Sequence, residues 1–116
     1  MAGDWIKWEK GFAEKDEVAA TAVILKLDLA NAAVLWMRFF EWADSRTADG
    51  YVRGATQGSL DMVMRQSGFA AAGVACGWLK FDDSGLQISN FDRHNGKTAK
   101  ARALAIERKR RLRRAP

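Results

Sequence analysis

The stretch Ser67-Gly68-Phe69-Ala70-Ala71-Ala72-Gly73-Val74-Ala75-Cys76-Gly77-Trp78-Leu79-Lys80-Phe81-Asp82-Asp83-Ser84-Gly85-Leu86-Gln87-Ile88 decides the fold. Ser67-Gly68 breaks a preceding helix, Phe69 to Cys76 predicts a short second helix, and Gly77 ends it. Trp78 to Phe81 and Leu86 to Ile88 predict two strands. They flank Asp82-Asp83-Ser84-Gly85, a hairpin turn signal. Working outward, Ser59 is expected to cap a helix running through Gln66, with Leu60, Val63 and Met64 inward. Tyr51-Val52-Arg53 predicts a short strand between the turn Ala48-Asp49-Gly50 and Gly54.

Further upstream the pattern is helical. Leu35, Trp36, Phe39, Phe40, Trp42 and Ala43 give a long helix, ending near Ser45, more apolar surface than one stripe needs. That marks a central, buried helix. Asp28 or Asn31 is expected to cap it. Before it, Asp16 reads as the N-cap of a helix with Glu17 in its first turn and Val18, Ala22, Leu25 and Leu29 at helical spacing. Trp5 to Glu9 predicts a short strand. A long helix, a short strand, two short helices across a tight turn and a hairpin make the order of a winged helix-turn-helix. The expected fold is mainly α with a small β-hairpin: a winged-helix domain over residues 1–92 and a basic C-terminal helical tail over 93–116.

The charge distribution sharpens that division. The 116-residue chain carries a net charge of +5 from 19 Lys and Arg against 14 Asp and Glu. Residues 93–116 hold ten of the bases and one acid, Glu107, a net +9, which leaves residues 1–92 at −4. A mildly acidic body with a strongly basic tail points to a polyanionic partner at the tail. The tail is also rich in helix formers. On a helix, Lys97, Lys100, Arg108 and Arg111 fall along one side and Arg102, Lys109 and Arg113 along another. From residue 107 onward nearly every face is basic. Leu104, Ile106 and Leu112 are its main apolar residues, with no aromatic anchor, so a membrane surface is a poor partner. The longest strictly apolar run, Ala32 to Met37, is far short of the ~18 residues of a membrane span. The N-terminus has no signal-peptide pattern, so the expected location is cytoplasmic.

Short motifs along the chain resemble one family. They are Asp4-Trp5-Ile6-Lys7, Leu35-Trp36, Trp42-Ala43-Asp44, Asp49-Gly50, Gly68-Phe69, Gly77-Trp78-Leu79 and, above all, Asn90-Phe91-Asp92-Arg93-His94-Asn95-Gly96-Lys97. Their order and spacing resemble the N-terminal domain of phage replisome organisers and replication initiators, over about residues 4–110. The resemblance implies a winged-helix DNA-binding domain acting in a bacterial host cell. It would mark a phage origin and help recruit the host helicase or its loader.

The expected DNA contacts are Arg65, Arg93, His94, Lys97, Lys100, Arg102, Arg108, Lys109, Arg110, Arg111, Arg113 and Arg114. Arg and Lys neutralise phosphates without reading sequence, with duplex favoured and single strands also open. The segment Phe69 to Cys76, where a winged helix would read the major groove, has no Arg, Lys, Asn or Gln. The turn Asp82-Asp83 repels phosphate. A rival reading from another class follows: a winged-helix protein-interaction or oligomerisation module, with the tail a nonspecific polyanion binder. Trp36, Trp42 and Trp78 read as core, and Cys76 as a small buried residue. Gly73-x-x-x-Gly77 reads as tight packing and a helix end. One Cys and one His cannot supply a four-ligand zinc site. No nucleophile–base set or phosphate-cradling loop is present. The expectation is a non-enzyme without a cofactor.

Overall fold

The computed structural model describes Trp8 and residues 10–91. This region is mainly helical with one small antiparallel sheet. A 3-10 turn, Phe12–Glu14, leads into α1 (Asp16–Leu25) and α2 (Leu29–Arg46). There follow β1 (Tyr51–Arg53), α3 (Gln57–Met64), α4 (Phe69–Cys76), β2 (Leu79–Asp82) and β3 (Gly85–Ile88). The predicted tail helix over 93–116 lies outside the described residues, and so does the predicted strand at Trp5–Glu9 except for Trp8, which is in no strand.

Helix ends follow local chemistry, with three departures from expectation. Asp28 caps α2: Asn31 donates its backbone N–H to Asp28 Oδ1 at 2.7 Å and its side-chain amide to Oδ2 at 3.0 Å. Asp16 does not cap α1; Lys15 stands at the N-cap position and its side chain makes no capping bond, while Asp16 and Glu17 occupy the first turn. There their charges face the positive end of the helix dipole. Thr56, not Ser59, caps α3, in a reciprocal capping box. The Ser59 N–H donates to Thr56 Oγ1 at 3.1 Å, and the Thr56 N–H donates back to Ser59 Oγ at 2.9 Å. That moves the start of α3 three residues earlier than expected, and the helix ends at Met64. Thirdly, β2 starts at Leu79 instead of Trp78, because the Trp78 N–H completes the α4 C-terminus by donating to Gly73 O at 3.0 Å.

β3 is the middle strand, in the order β1-β3-β2. Tyr51 faces Gln87 on β3 and Val52 faces Leu86; Lys80 on β2 faces Gln87 and Phe81 faces Leu86. Alternation therefore puts Val52, Leu86, Phe81, Leu79 and Ile88 toward the helices, and Tyr51, Arg53, Lys80 and Gln87 on the other face. Gly85 allows the strands to meet: a Cβ there would run into Val52 O and sit 3.0 Å from Arg53 Cα.

The core is aromatic. Trp36 is fully buried, with its ring centroid 4.8 Å from Phe69 and 4.7 Å from Trp78. Phe12, Phe39 and Phe40 close around it, and Trp8 tilts onto Phe12 at 5.0 Å. Edge-to-face pairs of this kind add about 0.5–1.5 kcal/mol each beyond area burial. The indole N–H of Trp36 donates to Thr21 Oγ1 at 2.9 Å, and the Thr21 hydroxyl donates to Glu17 O. Trp78 is buried as expected, whereas Trp42 is half-buried against the core. α2 is central but not enclosed: it buries Ala32, Ala33, Leu35, Trp36, Phe39, Phe40 and Ala43, and leaves Val34, Arg38 and Glu41 in solvent. Among the described residues no single helix is long and apolar enough to cross a membrane; α1 and α2 pass only as a pair bent by 107°.

Candidate nucleic-acid interface

The helix pair α3–α4 is built around Asp61. From the middle of α3 its carboxylate accepts the Gly68 N–H at 3.0 Å on Oδ2 and the Ala70 N–H at 2.8 Å on Oδ1. A charge thus meets the exposed donors at the start of α4, which has no side-chain cap of its own. Gly68 at φ 83° makes the tight entry, and the side chain of Leu25 from α1 packs against it. Asp61 therefore serves as a structural cap, each oxygen accepting one backbone N–H.

α4 itself is anchored by Phe69, Ala70, Ala72 and Gly73. A Cβ at Gly73 would collide with Leu79 and lie 3.1 Å from Trp36, so the Gly73-x-x-x-Gly77 spacing serves internal packing. The open face of the helix carries Ala71, Val74 and Ala75 and no polar side chain. It cannot hydrogen-bond a base edge. Cys76 is half-buried, not enclosed, and its thiol donates to Gly73 O at 3.4 Å. Burial pushes the Cys76 thiol above its ordinary pKa, which keeps it protonated and unreactive at neutral pH.

The hairpin tip is acidic and tightly organised. Asp82 Oδ1 accepts the backbone N–H of Ser84 at 2.7 Å and of Gly85 at 2.8 Å, and the Tyr51 hydroxyl at 2.9 Å. The Tyr51 bond and those backbone donors hold the Asp82 carboxyl below the usual carboxylate range. Partial desolvation, then the bond and charge of Asp82, push the Tyr51 phenol up. The Tyr51 backbone N–H and the Thr47 hydroxyl, both donating to Asp49 Oδ1, hold Asp49 low in the turn before β1. Asp82 and Asp83 leave this tip negative and ill-suited to a phosphate track.

Of the residues expected to touch DNA, Arg65 is the one inside the described region. It is exposed and terminates α3 in the left-handed conformation, φ 55° and ψ 36°. Arg93, His94, Lys97, Lys100, Arg102, Arg108, Lys109, Arg110, Arg111, Arg113 and Arg114 lie outside the described residues. The chain enters that segment from Phe91, whose buried ring packs on Gly50. Lys26 ends α1 in the same left-handed way as Arg65, φ 57°. Nothing in a Lys codon predicts a positive φ. Among the described residues no three His, Cys, Asp or Glu side chains gather to hold a metal ion. Compared with known family models, curated proteins and solved structures, the chain matches none.

Proposed function

We propose that this chain is a phage-type DNA replication initiation protein, with a winged-helix body and a basic C-terminal helix as its main DNA-binding element. The observation that carries the proposal is the run of ten bases over residues 93–116, a net +9, joined directly to the folded body at Phe91. Ten cations against one acid suit a phosphate backbone, where each neutralised phosphate releases counterions. The winged-helix reading of the body is supported by the succession α2, β1, α3, α4, β2, β3 and by the strand order β1-β3-β2. The bare face of α4 and the acidic tip argue for backbone contact in place of base readout.

A second reading has its own observation. Val74 on α4 is 42% exposed on a helix face without a polar side chain. Such a face suits protein contact, with a second copy or with a host helicase or its loader. In that case the tail is only a nonspecific polyanion binder.

Fluorescence anisotropy on labelled duplex and single-stranded DNA tests the main reading. The full chain is compared with a full-length variant carrying Arg108, Lys109, Arg110, Arg111, Arg113 and Arg114 as Gln. The expected result is a steep fall of log K with log salt in the native chain. The variant should lose about 0.9 of slope for each duplex phosphate contact removed. An unchanged affinity and slope in the variant sinks the assignment of DNA binding to the tail and leaves the protein-contact reading.

A further inference from the structure

α1 and α4 pack together and share an uncharged surface. From Val18 to Leu25 and from Phe69 to Cys76 neither segment holds a charged residue. The helices lie side by side and antiparallel. Thr21 Oγ1 stands 4.0 Å from Cys76 Sγ at the end of α4, and Leu25 Cδ2 would lie 3.3 Å from a Cβ on Gly68 at its start. The part of α1 turned away from the core is apolar: Val23 is 79% exposed and Ile24 46%, with Ala19 open beside them. Ile24 follows Thr21 by three residues, so it leaves α1 on the side of α4. On α4, Ala71 and Ala75 continue the stripe that begins at Gly68 beside Leu25, and both are exposed.

Charge on α1 is confined to its two ends. Asp16 and Glu17 open the helix and Lys26 closes it. Asp16, Ala19, Val23 and Lys26 follow at i, i+3, i+7 and i+10, one outer stripe of the helix, and all four are exposed. Turned end over end about an axis level with Thr21, this stripe matches itself. Position 19 then meets 23 and position 16 meets 26, because both pairs are centred on 21. A small Ala faces the larger Val, and an acid faces a base. The same reversal sets the positive end of one helix dipole beside the negative end of the other.

We infer that α1 is the contact between two copies of this chain, packed antiparallel across a two-fold axis level with Thr21, with Ile24, Ala71 and Ala75 at its border. The inference rests on the protein-contact reading above and deepens it, by naming the partner and moving the centre of the contact from α4 to α1. A two-fold contact must be self-complementary: what one copy offers, the other accepts. Here Val23 of each copy fills the space beside Ala19 of the other, and the Asp16 carboxylate meets the Lys26 ammonium twice. The basic tail is a poor occupant, because the middle of the face has no acid to meet its cations. Ten residues of helix are only about 15 Å long. The contact therefore falls at the small end of protein interfaces and forms a reversible dimer.

The test is sedimentation equilibrium on the full chain at low salt, from about 10 μM to about 1 mM, with Tm recorded for every variant. The native chain is expected to pass from monomer to dimer across this range. Val23→Glu puts a carboxylate in the middle of the face at a position open to water, so it should keep its Tm and weaken association at least about tenfold. Asp16→Lys and Lys26→Asp each set like charges opposite one another and should weaken it about threefold or more. Aspartate tolerates the left-handed backbone at position 26. An equimolar mixture of these two charge variants restores opposite charges at both ends and should regain native association as the heterodimer. Bulk charge does not imitate this, because Lys26→Asp lowers the net charge by two, from +5 to +3, and by that alone would favour association. A native chain still monomeric at about 1 mM overturns the inference and leaves the protein-contact reading to a host protein. A dimer unchanged in folded Val23→Glu overturns it by placing the contact on another face, with that reading intact. Charge variants that associate no better mixed than alone overturn the antiparallel pairing, and they decide the matter by themselves if Val23→Glu does not fold.

Discussion

The turn between α3 and α4 and the turn between β2 and β3 are each organised by one aspartate, at very different range. Asp82 gathers the N–H groups two and three residues ahead of it. Asp61 gathers those seven and nine residues ahead. The first closes a hairpin that already has its register; the second decides how one helix is set against another. The chemistry is the same, a carboxylate on backbone donors, but the long-range bond lies in a half-buried site and the short one is exposed to water. A bond that water can replace contributes less than one that leaves donors stranded when it is lost.

That contrast can be broken or sharpened by substitution. The largest effect is expected where the hairpin has no room to adjust. In Gly85→Ala the added methyl meets the backbone of Val52 and Arg53, so the loss is about 3 kcal/mol, the upper end for overpacking, and is read by urea unfolding. Next comes Asp61→Ala, expected to cost about 2 kcal/mol by stranding the Gly68 and Ala70 donors, with Asp61→Asn recovering part of it. If Asp61→Ala proved as mild as a surface change, the Asp61 turn would be no different in kind from the hairpin.

Smaller still is the pH response of Asp82. Its folded pKa is depressed, so its stabilisation is complete above the ordinary carboxylate pKa and is lost as pH falls through the lowered folded value. A Tm series on Asp82→Asn should therefore converge on the native protein in acid and separate from it toward neutrality. Separation of the opposite sign would refute the assignment. Tyr51→Phe is expected to do least. It removes one exposed hydroxyl donor from Asp82 and leaves the two backbone donors in place, so the native-state Tm should barely move, while the Asp82 carboxyl titrates closer to its ordinary range by NMR.

What the sequence made legible follows the same division by range. Gly68 and Gly77 bracket α4, and its bounds are those expected, Phe69–Cys76. The turn Asp82-Asp83-Ser84-Gly85 places a hairpin, and Tyr51–Arg53 is a strand as expected. Thr56 escaped because the residue that answers it three positions on is Ser59, not the usual Glu or Gln, and either hydroxyl could have been the cap. Asp61 carries no local signal of its role, because the N–H groups it accepts belong to the start of the next helix. β1 joining β3 is likewise a tertiary event, invisible in three residues of alternating character. Of the candidate DNA contacts, Arg65 was legible as a cation at a helix end, while the left-handed backbone in which it closes α3 was not.

The seat of Phe91 has a consequence for avidity. A Cβ on Gly50 would fall 2.6 Å from Phe91 Cβ, so the ring is pressed onto the sheet base and the chain departs from a fixed point. Arg93 follows two residues later, a reach of at most ~7 Å at full extension. A cation tethered that near the body, as Arg93 is by sequence, would not search for a polyanion independently of it. On the proposed DNA-binding reading, a strand held close to Arg93 would be sampled by the folded body at a high effective concentration, and two weak attachments would hold as one.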